Sequence, residues 1–410
     1  MVSMRRSLVA VVAAAVIAPL MLAACGDKKA VAGSAAPSAS APITENGGAT
    51  PAPAAPISLS LTPAGGKKDV PVSAEIGLKI SGAQVSSVTL KDAAGKAVSG
   101  KLRDDGSAWV PSTPLQTRQR YVASVVATAA GGQSKTATTS FTTMGSPAHK
   151  TGTGLYLFDG RTYGVAMPVV AEFSPGIKKA DRAAVQKRMF VETSPSQPGV
   201  WSWTASGTQA YYRAPTFWKP GTKLSVRIAV GGLPTGGGRY GDRDRSATAK
   251  IGRDFELKVD NATKKMSVVQ NGKVLRTMAV SLGKASTPSS SGNMVIMDKQ
   301  AETVFDTTAD GPNGYRVNIQ YAQRLTWSGQ FIHSAPWSTG AQGHRNVSHG
   351  CVNVSPSNAR WLFAKTLIGD PVTVKGTGDK LDYGNGWTPW NVSWANFIKG
   401  SALPVPAGLK

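Results

Sequence analysis

Between His333 and Asn353 the chain reads His-Ser-Ala-Pro-Trp-Ser-Thr-Gly-Ala-Gln-Gly-His-Arg-Asn-Val-Ser-His-Gly-Cys-Val-Asn. This stretch holds three of the four histidines and one of the two cysteines in 410 residues. A thiolate attacks carbonyl carbon readily and a thiol does not, so Cys351 as a nucleophile needs a base or a depressed pKa. His333, His344 and His349 are the local bases. His349 is two residues from Cys351 on the same short loop, which suits a supporting role. A base approaching from a neighbouring strand is geometrically easier, which favours His333. His344 follows Gly343 in a loop and is read as exposed. Gly350, beside the nucleophile, lets the backbone turn so that amide N–H groups converge on one point, as an oxyanion hole requires.

From residue 311 to residue 369 there is no Asp or Glu, while Arg316, Arg324, Arg345, Arg360 and Lys365 fall inside that window. A carboxylate orienter for the base therefore cannot come from this segment. A backbone carbonyl or a distant residue must serve. The basic surround is expected to favour the thiolate and to attract a substrate carrying carboxylates.

The second cysteine, Cys25, closes an N-terminal targeting pattern. Arg5-Arg6 precede an apolar run from Leu8 to Ala18, and Leu22-Ala23-Ala24-Cys25 follows. That quartet resembles the lipobox of bacterial lipoproteins, in which the cysteine is diacylated and becomes the new N-terminus. The apolar run is short of the ~20 residues a spanning helix needs. Two acyl chains would hold the protein at the membrane where one would not. With Cys25 so used, Cys351 has no intramolecular partner, and a Cys₂His₂ zinc site is impossible. No cofactor is expected. Residues 1–25 are thus read as a lipoprotein signal peptide and residues 26–56, rich in Ala, Pro and Ser, as a flexible linker. Lys and Arg total 46 against 23 Asp and Glu, a formal charge of +23. The basic residues are scattered, and an export signal excludes nucleic acid. Anionic wall polymers or lipid headgroups are the expected counter-surface, with solubility alone as the alternative reading of the charge.

The elements that must position the motif read as strands. Residues 57–145 alternate apolar and polar over Ile57–Leu61 and Tyr121–Val125, with turns at Asp92–Lys96 and Gly131-Gly132, and form an expected immunoglobulin-like sandwich without a cysteine pair. Residues 146–252 look similar in kind. There Ala180–Phe190 reads as a short helix, Trp201 and Trp203 as core, and Gly236–Arg245 as a mobile loop. A third unit, residues 253–375, carries the motif. Asn271-Gly272 signals a hairpin. Ser355 as N-cap and Pro356 at the first helical position start a helix soon after Cys351, with Gly369 ending it. Residues 376–410 carry Trp387, Trp390 and Trp394 and are expected to pack back onto the third unit. The fold class is mainly β.

His333, fourteen residues, then Ser348-His349-Gly350-Cys351-Val352-Asn353 resembles the signature of the L,D-transpeptidases, the YkuD-type catalytic domain. Asn271-Gly272, the Ser286-Thr287-Pro288 loop and the Ser334-Ala335-Pro336-Trp337 turn agree with its frame. The lipobox, the two β-modules and the Trp-rich tail resemble the mycobacterial and actinobacterial branch. The resemblance implies that Cys351 attacks the carbonyl between the third and fourth residues of a peptidoglycan tetrapeptide stem. D-Ala leaves, and the side-chain amine of a second stem resolves the thioester into a 3→3 cross-link. It implies His333 as base, the Ser334 carbonyl as its orienter, and His349 and Gly350 as oxyanion-hole and frame residues. It implies Tyr315 as a lid tyrosine, Trp337 and Asn353 as pocket wall, Ser348 as a further pocket residue, and Ser328 and Met297 as weaker pocket positions. Acylation by carbapenems is also implied. The competing readings are a thiol carboxypeptidase or amidase acting on the same stems, and a non-enzymatic wall-binding lipoprotein. The expected location is the outer face of the cytoplasmic membrane, held by lipid and reaching into the wall.

Overall fold

The computed structural model describes residues 56–410 except 311–313. Cys25, the signal segment and the linker through residue 55 lie outside the described residues.

The alternation in Arg120–Thr128 puts Tyr121, Ala123, Val125 and Ala127 on one buried face. That face closes a sandwich of two four-stranded sheets. One runs Ser58–Thr62, Ile76–Ser81, Ala108–Pro111, Gly100–Leu102. The other runs Lys67–Val70, Ser134–Thr143, Arg120–Thr128, Gln84–Asp92. Ile76, Leu90, Trp109 and Phe141 fill the space between. The Asp92–Gly95 turn is closed by Gly95 N–H donating to Asp92 O at 3.0 Å.

The second module pairs a four-stranded with a six-stranded sheet. Trp201 and Trp203 are both buried, and Trp203 stacks on Phe173 at 5.3 Å between ring centroids. Arg182–Gln186 is the short helix. The Gly236–Arg245 segment is not a loose loop. Pro234–Gly236 and Arg239–Gly241 form a hairpin whose turn glycines, Gly236 to Gly238, all have positive φ. Asp244 then fastens the segment, accepting from Arg227 Nη2 at 2.9 Å and from Gly231 N–H at 2.8 Å. The two modules meet through Glu75, which accepts from Arg103 and Arg188. Burial raises the Glu75 pKa, but those two guanidiniums outweigh it and hold the carboxyl below its ordinary value.

The third unit carries the motif on two sheets. A six-stranded sheet runs Lys273–Ala279, Lys265–Gln270, Phe255–Asp260, Pro371–Lys375, Ser290–Val295, Asp379–Lys380. A four-stranded sheet runs Asp298–Asp306, Arg316–Arg324, Phe331–Ser334, Val352–Val354. Asn271 (φ 51) and Gly272 (φ 75) make the hairpin turn that their tolerance of positive φ allows. The helix is Pro356–Lys365, with the Ser355 side chain accepting from Asn358 N–H at 3.4 Å. It buries Ala359 and Leu362 against Ile332, Val352 and Val354. It stops at Lys365 rather than running to Gly369. Thr366 still donates its N–H to Leu362 O but turns extended (ψ 153), with its hydroxyl 2.6 Å from Gln323 Oε1, so the helix ends there.

The tryptophan tail departs from expectation. Its tryptophans pack mainly on the second β-module rather than on the third unit. Trp387 and Phe397 join that module's core, and Trp390 Nε1 donates to Ala166 O at 2.7 Å. Arg213 lies 4.5 Å from the ring centre of Trp390, 5.1 Å from Trp394 and 4.4 Å from Phe397. The module supplies both a large apolar cluster and a buried cation for aromatic faces. The third unit takes the start of the tail, with Asp379–Lys380 as an edge strand and Leu381 in its core, but it meets the tryptophan part mainly through single hydrogen bonds, such as Asn293 N–H to Asn391 Oδ1 at 3.0 Å. The tail is a strap across both. Trp387→Ala should therefore destabilise the whole protein by about 3–5 kcal/mol, read as a lowered thermal midpoint. A midpoint within a degree of the parent's would contradict the strap.

Candidate active site

Strand register brings the two chemical residues together. Phe331–Ser334 and Val352–Val354 are parallel neighbours with Ile332 opposite Val352 and His333 opposite Asn353. Side chains alternate faces along a strand, so His333, Asn353 and Cys351 point to one face. The other face, Ile332, Val352 and Val354, enters the core. Cys351 precedes the strand at the end of the loop Ser348–Cys351. Ser348 Oγ closes that loop, donating to Cys351 O at 2.6 Å and accepting Gly350 N–H at 3.1 Å. Ser289 Oγ donates to Gly350 O at 2.7 Å and accepts Gly283 N–H at 2.9 Å, pinning the loop to the neighbouring chain. Gly350 has φ +125. A Cβ there would meet only Gln330 Cγ at 3.6 Å, so conformation and not space demands glycine.

His333 is 4% exposed, and its Nδ1 lies 2.8 Å from Ser334 O. A carbonyl only accepts, so Nδ1 carries the proton and Nε2 is left with a lone pair for use as a base. The orienter is a backbone carbonyl, as the missing carboxylates require. Asp370, the first acid after the motif, is engaged elsewhere, by Leu367 N–H at 2.7 Å and Arg253 at 3.5 Å. His349 is a different case. Lys284 Nζ lies 3.2 Å from its Nε2, and an ammonium only donates, so that lone pair is taken. Burial, then the Lys284 charge, lowers its pKa. The Tyr315 ring sits 5.1 Å from the His349 ring.

Cys351, His333, Ser348, His349, Asn353, Tyr315 and Trp337 line one cavity of about 360 Å³ with Phe305, Val317, Ile319 and Val347. Trp337 is 58% exposed at its mouth. Asn353 Nδ2 donates to Ser338 Oγ at 3.1 Å, while its Oδ1 is buried without a partner. Two expected pocket residues are elsewhere. Met297 is buried under the strap, its sulfur accepting Trp387 N–H at 3.4 Å. Ser328 is outside the cavity, its hydroxyl 3.0 Å from Thr326 Oγ1 and taking Asn385 Nδ2 at 3.0 Å. His344 is not among the lining residues. Ser289, Phe305 and Val317 act at the site without any sequence signal beyond Ser289 following the Thr287-Pro288 turn.

Residues 254–374 match the family described as the L,D-transpeptidase catalytic domain, and residues 67–234 match a bacterial Ig domain. L,D-transpeptidase 2 of Mycobacterium tuberculosis is 35% identical over 343 residues, 82% of this chain and 83% of that one. L,D-transpeptidase 5 of the same species is 32% identical over 400 residues, 96% and 84%. The chain belongs to the L,D-transpeptidase family. A solved structure, the LD transpeptidase LdtMt1 in complex with imipenem, is 33% identical and covers 54% of this chain and 97% of its own, with a TM-score of 0.46.

In this L,D-transpeptidase the Cys351 thiol rests protonated. Burial pushes the Cys351 thiol up to about 11, against a smaller lowering by the Phe331 N–H. The expected thiolate-favouring effect of the basic segment is overturned, because the arginines do not reach the sulfur and desolvation dominates. Burial likewise lowers His333, with the Ser334 carbonyl opposing. The pair is therefore neutral thiol and neutral imidazole. The sulfhydryl donates to Gly329 O at 3.7 Å rather than to His333.

Two outcomes follow for this transpeptidase. Alkylation of Cys351 by iodoacetamide should keep accelerating from pH 7 through pH 9, toward a midpoint near 11. A plateau reached below pH 8 would mean a resting thiolate. Gly350→Ala should fold, because the Cβ has room, yet carry roughly 1–3 kcal/mol of backbone strain in the Ser348–Cys351 loop. Its carbapenem acylation rate, followed by mass spectrometry, should drop at least tenfold while the far-UV spectrum stays that of the parent.

Proposed function

We propose that this L,D-transpeptidase cross-links peptidoglycan stems, with Cys351 as nucleophile and His333 as general base. The observation that carries the reading is a buried, unpaired thiol and an imidazole with a free Nε2 on one face of one sheet, open to one cavity. The carbonyl between the third and fourth residues of a tetrapeptide stem enters this cavity. The S–H proton passes to His333 Nε2 as the sulfur forms its bond to the carbonyl carbon. The oxyanion is stabilised by backbone N–H groups of the Cys351 loop. Gly350 N–H must leave Ser348 Oγ to take part, so His349 and Gly350 act first as frame. The C–N bond then breaks, His333 returns the proton to the departing D-Ala amine, and a thioester remains. An acceptor stem's side-chain amine attacks it, His333 takes that amine's proton, and the thiol is regenerated with a 3→3 link formed. Tyr315 and Trp337 shape the entrance, and Asn353, anchored on Ser338, forms part of the wall. Lys284 beside His349 supplies positive charge for the stem's carboxylates.

The same reading places the chain on the outer face of the membrane, with Cys25 diacylated and the β-modules spacing the site toward the wall and its anionic polymers. The N-terminal sequence pattern carries this part: a positive n-region, an apolar run and a Leu-Ala-Ala-Cys quartet.

Incubation with a disaccharide-tetrapeptide should yield a cross-linked dimer and free D-Ala by mass spectrometry. Free tripeptide alone, with no dimer, would establish a hydrolase in place of the transferase. Cys351→Ala should abolish both products and the covalent carbapenem adduct, and His333→Gln should slow acylation by roughly 10²–10⁴-fold. An adduct that persists in Cys351→Ala would remove the nucleophile assignment.

A further inference from the structure

The Cys351 sulfhydryl rests on the Gly329 carbonyl, 3.7 Å away. That carbonyl belongs to the turn Thr326–Gln330, in which Gly329 has φ +92 and Gln330 N–H donates to Thr326 Oγ1 at 3.0 Å. Gln330, after Gly329, is held by Ser290, and Trp327 O, before Ser328, takes Arg324 Nη2 at 3.2 Å. Among the described residues, the hydrogen bonds that reach Ser328 itself from outside the turn come from one side chain of the strap. Asn385 Oδ1 accepts Ser328 N–H at 3.0 Å, and Asn385 Nδ2 donates to Ser328 Oγ at 3.0 Å. One amide thus grips the backbone and the side chain of the residue preceding Gly329. Asn385 is itself held. It stands between Gly384 (φ +94) and Gly386 (φ +107), and Gly386 O accepts the Tyr211 hydroxyl of the second β-module at 3.0 Å. On its other side Trp387 is locked in that module's core.

We propose that Asn385 is a positioning residue for the nucleophile, acting through the Ser328–Gly329 turn on the resting hydrogen bond of the Cys351 thiol. The inference rests on Cys351 being the nucleophile. Its physical content is a competition for one proton. The thiol must leave the Gly329 carbonyl to meet His333 Nε2, and the carbonyl's placement sets how strongly the neutral thiol is held. A donated S–H bond stabilises the protonated form and so raises the pKa. A turn released from Asn385 loses that fixed acceptor. The strap and second module, remote in sequence from the motif, thereby tune the reactivity of the sulfur.

The test uses the full chain and two variants. In Asn385→Leu, which removes donor and acceptor while keeping bulk, the pH profile of iodoacetamide alkylation should move to lower pH by roughly half a unit. Asn385→Asp keeps an acceptor for Ser328 N–H and can accept from the Ser328 hydroxyl, so it should bring the profile back to the parent's. Acylation by a carbapenem at pH 7 should change severalfold in Asn385→Leu through the rate constant rather than through half-saturation. An unmoved alkylation profile in a folded Asn385→Leu overturns the proposal. So does an equal shift in both variants, which would mean a general loosening of the strap. Failure of the nucleophile assignment itself would look different, since Cys351 would then give no carbapenem adduct in the parent.

Discussion

Everything at the site depends on the parallel pairing of Phe331–Ser334 with Val352–Val354. With Ile332 opposite Val352, the apolar residues of both strands enter the core and the polar ones face the cavity. A slip of one residue would send Ile332 and Val352 into solvent and His333 inward. The core therefore enforces the placement of His333 and Cys351. Burying Ile332, Val352 and Val354 against the Pro356–Lys365 helix also sets where His333 and Cys351 stand.

The same burial that sets the geometry sets the protonation states. A sulfur pressed into the sheet face loses solvent, and its ionised form loses more than its neutral form. Scattered arginines do not reverse this, because charge in water-accessible positions is screened within about 10 Å. The imidazole is held neutral by the same desolvation, and the Ser334 carbonyl fixes its tautomer. The result is a thiol–imidazole pair that rests uncharged. An unpaired thiol that rests neutral is also a poorer target for stray electrophiles and oxidants, which act on thiolate.

Surrounding units bear on this geometry from outside. Arg213 under three aromatic rings of the tail, and Tyr211 on Gly386, join the strap to the second β-module. Trp327, next to Ser328, lies 6.4 Å from Tyr156 of that module. The catalytic unit is thus braced by a domain that contributes no residue to the cavity.

Much of this was legible in the residues. The unpaired Cys351, the three nearby histidines and the acid-free window pointed to a Cys–His pair steadied by backbone, and Asn271-Gly272 and Ser355-Pro356 marked a turn and a helix start. These are local signals: each depends on φ preferences or side-chain chemistry that a few neighbouring residues decide. What they could not carry was long-range packing. That the His349 lone pair is taken, while His333 Nε2 stays free, turned on Lys284, 65 residues away in sequence. The strap's docking on the second module, and the exclusion of Met297 and Ser328 from the cavity, turned on where Trp387 and Asn385 settle. The rise of the Cys351 pKa, against the charge of its own segment, followed from burial. Sequence determined which groups are present and how each short segment bends. Only the tertiary structure decided which of them lose water and which meet, because desolvation and contact are properties of the folded chain.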